Sequence, residues 1–84
     1  MLREKGGRWR VKAQTEIADF NQVFGTSLPD DEYDTVGGMV IHRFGRLPKR
    51  GESIAIDGLK VTVLRADSRR LYTLQVERAA GEAA

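Results

Sequence analysis

The chain has 84 residues and a mass of 9.4 kDa, which suits one small domain, since typical domains hold about 100–200 residues. Hydrophobic residues make up 40% and charged residues 31%, the balance of a folded soluble chain, and 14 Lys and Arg against 12 Asp and Glu leave only +2. That surplus is too small to argue for nucleic acid, and zero Cys excludes disulfides, thiolate zinc sites and cysteine nucleophiles.

In chain order, residues 1–7 are polar and end in Gly6-Gly7, and they read as a leader or linker. They contain no apolar stretch of the signal-peptide kind, and no run anywhere approaches the ~18 apolar residues of a membrane span. Trp9-Arg10-Val11-Lys12 alternates apolar with basic side chains, which predicts a short half-buried strand. A helix is expected over about 15–24, capped by Thr15, with Glu16 and Asp19 in its first turn. Ile17, Phe20, Val23 and Phe24 form its apolar stripe, and Gly25 suits the position past its end.

A second helix is expected to start at Asp34 or Thr35 and to bury Val36, Met39, Val40 and Phe44. Gly37 and Gly38 each cost about 1 kcal/mol in a helix interior, so close approach to another element is expected there, and Gly38→Val is expected to destabilise the domain. Gly45 and Pro48 end this helix. Ile54 and Ile56 alternate with polar or small residues, Asp57-Gly58 predicts a two-residue hairpin, and Leu59, Val61 and Val63 return on the same face. After a turn at Asp67-Ser68-Arg69, Tyr72, Leu74 and Val76 are expected to complete the apolar face. Residues 79–84 read as a tail, leaving one domain over 8–78. The expected fold is α+β, a two-layer sandwich of order β-α-α-β-β-β, with one mostly antiparallel four-stranded sheet covered by two helices.

Candidates for chemistry are few. His42 is the single histidine, with no cysteine to pair with and no nucleophile-elbow context around any serine, so it reads as a boundary or solvent-facing residue. Asp30, Asp31, Glu32 and Asp34 are the best metal candidates, because hard cations want several oxygens held close together. The sixth position counted from Asp30 is Thr35 rather than Gly, so no EF-hand pattern follows, and capping with solvation accounts for the acids. Arg43, Arg46, Lys49 and Arg50 gather around residues 45–51, as cations favouring a helix C-terminus or as a patch for an anion or an acidic partner. Gly37-Gly38 has neither dinucleotide-fingerprint nor P-loop spacing. No catalytic, cofactor or metal residue is assigned, and no nucleic-acid partner is expected.

One residue and four stretches then acquire a further meaning. Trp9, Leu28-Pro29, Tyr33-Asp34-Thr35-Val36-Gly37-Gly38-Met39-Val40, Gly45-Arg46-Leu47-Pro48-Lys49-Arg50-Gly51-Glu52 and Asp57-Gly58-Leu59-Lys60-Val61-Thr62-Val63 together resemble the transporter-associated domain of the CorC/HlyC family. The resemblance covers roughly residues 9–78. Its most telling members are Asp34, Thr35, Gly38, Gly45, Pro48, Gly51 and Glu52, which fix turns rather than perform chemistry. Lys12-Ala13-Gln14 departs from the family, which often has an acidic residue and a Gly before the first helix.

The resemblance implies a module lying after a pair of CBS domains, in cytoplasmic proteins or in the cytosolic part of membrane proteins. Such proteins are associated with magnesium and cobalt efflux or carry the hemolysin label. It implies a fold like the FAD-binding domain of some oxidoreductases, without implying bound FAD. The leading expectation is therefore a non-enzymatic regulatory or interaction domain of a CorC-like ion-transport protein. The alternative is a sensor for a nucleotide- or flavin-like ligand, by fold analogy alone, followed by a nucleic-acid-binding module. Weak self-association through apolar surface is also expected, because an open sheet leaves edges and Trp9 sits on a short strand.

Overall fold

The computed structural model describes residues 1–78, so the expected tail at 79–84 lies outside the described residues. The elements are β1 (Leu2–Arg3), a 3₁₀ turn (Lys5–Gly7), β2 (Trp9–Lys12), α1 (Ile17–Phe24), α2 (Val36–Phe44), β3 (Ser53–Ile56), β4 (Leu59–Ala66) and β5 (Leu71–Arg78). The five strands form one antiparallel sheet in the order β1-β2-β5-β4-β3. The α+β reading holds, with a fifth strand added to the expected four. That strand comes from the segment read as a leader. Gly6 and Gly7 both adopt positive φ, so the chain reverses there and Leu2 and Arg3 pair with Arg10 and Trp9.

Apolar burial on one face of the sheet holds the layers together. Val11, Leu59, Val61, Val63, Leu74 and Val76 from the strands meet Ile17, Phe20, Phe24, Val36, Met39 and Val40 from the helices in one core. Each such side chain, fully buried, contributes about 1.5–3 kcal/mol relative to exposure. Trp9 packs edge-on to Phe24 with ring centroids 5.4 Å apart, which ties β2 to the end of α1.

Helix α1 begins two residues later than expected. Glu16 occupies the N-cap position without a side-chain cap bond, and Thr15 lies outside the helix. The backbone explains the difference: Glu16 forms a β-bridge with Thr35, and the Thr15 carbonyl accepts from Val36 N at 2.9 Å. Val23 is 44% exposed, off the expected stripe, because Ile17, Phe20 and Phe24 already define the buried face. Beyond α1, Asn21 holds the connection: its Oδ1 accepts from Leu28 N and from the Thr26 hydroxyl, and its Nδ2 donates to the Leu28 carbonyl.

The β3–β4 hairpin closes through Asp57 (φ 50°) and Gly58 (φ 77°), the double positive φ that a two-residue turn of this hand requires. The β4–β5 pairing is less regular, with register shifts after Val63 and after Arg65. Leu64 is an extra residue on β4 and Tyr72 an extra residue on β5. The phase of β5 changes accordingly. Leu71 is buried where Tyr72 was expected, and Tyr72 directs its hydroxyl to Asp67 Oδ2 at 2.7 Å.

Candidate functional site

The cluster around residues 45–52 is built by the need to carry the chain from the end of α2 to the sheet edge. Helix α2 starts at Thr35, whose Oγ1 accepts from Gly38 N at 3.1 Å, and ends at Gly45 in the left-handed region. Pro48 is buried beneath the connection. Gly51 N donates to the Val63 carbonyl and Val63 N to the Glu52 carbonyl, both at 2.8 Å, so the connection joins β4 before β3 begins.

Glu52 closes this loop. Both Arg46 guanidinium nitrogens that face it donate to its two oxygens, and Lys49 N donates to Oε2 at 2.7 Å. The Arg46 hydrogen bonds, then the Lys49 backbone bond, hold the Glu52 carboxyl down at about 2. Arg46 is therefore committed within the loop, with its guanidinium also 5.8 Å from the Phe44 ring centroid. Arg43, Lys49 and Arg50 have exposed side chains around it. Arg43 lies in the last turn of α2 and the other three cations in the connection after it, where Arg46 is neutralised by Glu52.

The acidic candidates are spread out. Asp30 and Asp34 line a hollow of about 450 Å³ together with Glu16, and Asp31 and Glu32 do not line it. Among the described residues no three His, Asp or Glu side chains come together to hold a metal ion. Asp34 serves the backbone, its carbonyl accepting from Ile17 N at 3.2 Å. His42 is exposed beside the Tyr33 ring at 5.3 Å.

The close approach in α2 falls at Gly37 rather than Gly38. A Cβ on Gly37 would lie 2.7 Å from Ala13 Cβ and 2.8 Å from the Ala13 carbonyl oxygen. One on Gly38 would meet only Thr35 Oγ1, at 3.3 Å. Gly37 N donates to that Ala13 carbonyl at 2.7 Å, so the missing side chain lets α2 hydrogen-bond directly to the end of β2. Two further polar devices lie outside the sequence candidates. Asn21 organises residues 26–28, and Asp67 Oδ1 accepts from Arg69 N and Arg70 N, both at 2.8 Å. The Asp67-Ser-Arg turn signal was legible for the second, but nothing in the sequence pointed to the partners of Asn21.

No helix among the described residues is long and apolar enough to cross a membrane. Comparison with known proteins places the architecture. The chain is 51% identical over 69 residues to the magnesium and cobalt efflux protein CorC of Escherichia coli strain K12, an alignment covering 82% of this chain and 24% of that protein. To CorC of Vibrio cholerae it is 56% identical over 66 residues, covering 79% of this chain and 23% of the relative. The chain thus spans about a quarter of the length of these curated relatives. Among solved structures, the CorC-associated region of a Neisseria meningitidis Mg2+ and Co2+ transporter superposes with TM-score 0.90 at 50% identity, covering 93% of this chain and 96% of that one. A CorC_HlyC domain of a Xylella fastidiosa hemolysin, solved in complex with Mg++ and Mn++, superposes with TM-score 0.84 at 26% identity, covering 94% and 96%. The family profile described as the CorC_HlyC transporter associated domain matches residues 3–80, and the chain belongs to that family.

Proposed function

We propose that this chain is a non-enzymatic regulatory and interaction module of a CorC-like magnesium and cobalt efflux protein, working on the cytoplasmic side next to a CBS-domain pair. The observation that carries the reading is the extent of the match: half-identical residues over most of this chain but only 24% of the E. coli relative. A unit of that size within an efflux protein is one part of a larger machine. A solved transporter-associated domain at TM-score 0.77 comes from a CBS domain protein of Porphyromonas gingivalis, in keeping with such a neighbour, although 19% identity speaks for the fold alone.

The residues agree with a role in recognition. The family-motif positions Thr35, Gly45, Gly51 and Glu52 all serve turns and caps, through the Thr35 cap, the left-handed Gly45 and Gly51, and the Glu52 clasp. Their work is to hold a rigid shape, leaving exposed side chains to make contacts. The test is transport. In the full-length parent, residues 3–80 are deleted, and magnesium- and cobalt-dependent efflux is followed in cells and in membrane vesicles. Altered efflux or altered response to cytosolic magnesium, with the parent still present at normal abundance, is the expected outcome. Unchanged transport and unchanged regulation would overturn the reading.

A further inference from the structure

A hollow lies where β2, β4 and the start of β5 meet, and its cations take no part in the cluster at residues 45–52. It has a volume of about 290 Å³ and is lined by Lys12, Gln14, Arg65, Arg70, Tyr72 and Thr73, with Leu71 at its margin. No described carboxylate lines it. We propose that this hollow binds a phosphate group carried by a small soluble anion, with Lys12, Arg65 and Arg70 as its cationic ligands.

The sheet register brings these groups together. Lys12 pairs with Thr73 across β2–β5, and Thr73 pairs with Arg65 across β5–β4. Lys12, Thr73 and Arg65 therefore form one rung on the face away from the core, with neighbouring Cβ atoms about 4.5–5.5 Å apart. Leu64, the extra residue on β4, lines an adjoining hollow with Arg10, Arg65 and Thr73. Arg65 is placed by its guanidinium carbon, 5.3 Å from the Tyr72 ring centroid.

The charges are available. The described ion pairs are Arg8–Glu77, Arg10–Glu4 and Arg46–Glu52, and Lys12, Arg65 and Arg70 enter none of them. Asp67 is the acid of the adjoining turn, and its two oxygens already accept from Arg69 N, Arg70 N and the Tyr72 hydroxyl. Two guanidiniums offer planar donor forks, a lysine adds a point charge, and Thr73 and Gln14 add neutral donors. That set suits the several oxygens of a phosphate group better than a single carboxylate. The N-terminus of α2 does not compete for the anion, since Val36, Gly37, Gly38 and Met39 N–H groups all have partners within the chain.

The proposal is independent of the transport reading and is tested on the 84-residue chain itself. Isotope-labelled protein is titrated with inorganic phosphate and, separately, a nucleoside monophosphate, at constant ionic strength maintained with sodium chloride. Saturable amide shifts at Lys12, Arg65 and Thr73 are expected. Lys12→Ala and Arg65→Ala should each weaken binding about three- to tenfold, while Arg43→Ala leaves it unchanged. All three side chains are exposed, and unchanged melting temperatures confirm that a loss comes from the site. Shifts that rise linearly without saturation, or that chloride alone reproduces, would overturn the proposal. So would binding confined to phosphatidylglycerol vesicles, which would assign the hollow to a lipid headgroup. Displacement of phosphate by an acidic peptide at lower concentration would assign it to a protein partner and likewise overturn it.

Discussion

Replacing Gly37 by Ala is the sharpest test of how the helices are docked. The new Cβ would sit 2.7 Å from Ala13 Cβ, about 0.7 Å inside the 3.4 Å at which ordinary van der Waals contact begins. Ala13 has little room to yield, being 6% exposed and tied through its N–H to the Tyr72 carbonyl at 2.9 Å. The start of α2 must then move, stretching the Gly37–Ala13 and Val36–Thr15 hydrogen bonds. Overpacking of this kind costs about 1–3 kcal/mol, and the helix propensity gained by Ala over Gly returns at most about 1 kcal/mol. A net loss of about 1–2 kcal/mol corresponds to a melting temperature lower by about 5–15 °C in a domain of this size. Gly38→Ala meets only Thr35 Oγ1 at 3.3 Å and gains the same propensity, so it should be neutral or slightly stabilising. His42→Ala, at an exposed site, should change stability by less than about 0.5 kcal/mol. Thermal melts followed by circular dichroism decide the order. Equal losses at the two glycines would refute the docking of α2 on Ala13.

Glu52 ionises at about 2 in the folded chain against a usual 4.5, so its clasp contributes fully above pH 4.5 and is lost as pH falls toward 2. Urea midpoints measured from pH 6 to pH 2 should fall more steeply for the parent chain than for Glu52→Gln. Asn21→Ala removes three side-chain hydrogen bonds around residues 26–28 and should cost about 1–2 kcal/mol, with faster amide exchange at Leu28 as its local sign. Sedimentation at millimolar concentration should show weak association that persists as salt rises, and Leu2→Lys, at a side chain 59% exposed on the sheet edge, should reduce it.

What the sequence disclosed and what it hid follow from the range of the forces involved. Alternation in Leu59, Val61 and Val63, helical spacing in Val36, Met39 and Val40, and the Asp57-Gly58 turn are local signals, and each appears in the fold as read. The family likeness was legible for the same reason, since its marker residues sit in turns. The misses are long-range. Tyr72 left the core because two register shifts, one on each strand, rephase β5. Thr15 was taken from its capping role by the bridge between Glu16 and Thr35, residues far apart in the chain. Gly37 and Gly38 are neighbours of identical chemistry, and only the position of Ala13 in space tells them apart. Among the candidate cations, Arg46 looked as free as Arg43 until the loop brought Glu52 back to it.

The division of charge explains why the strongest binding feature escaped the sequence. Glu16, Asp19 and the acids at 30–34 lie in and around the helical segment, whereas Arg10, Lys12, Lys60 and Arg65 project from strands on the face away from the helices. Along the chain these four cations are scattered among residues 10–65 and yield no run or patch, and the formal total stays at +2. Antiparallel pairing brings Lys12 and Arg65 together across the neutral Thr73 of β5, whereas Lys60 stands opposite Glu77 and Arg10 pairs with Glu4. The positive charge left without an acidic partner on this face is therefore local to the Lys12–Thr73–Arg65 rung. Because that face takes no part in the core, its side chains can be exchanged without disturbing the packing of the helices. Recognition and stability are therefore assigned to opposite faces of the same sheet, and substitutions on the outer face should alter binding while the melting temperature stays fixed.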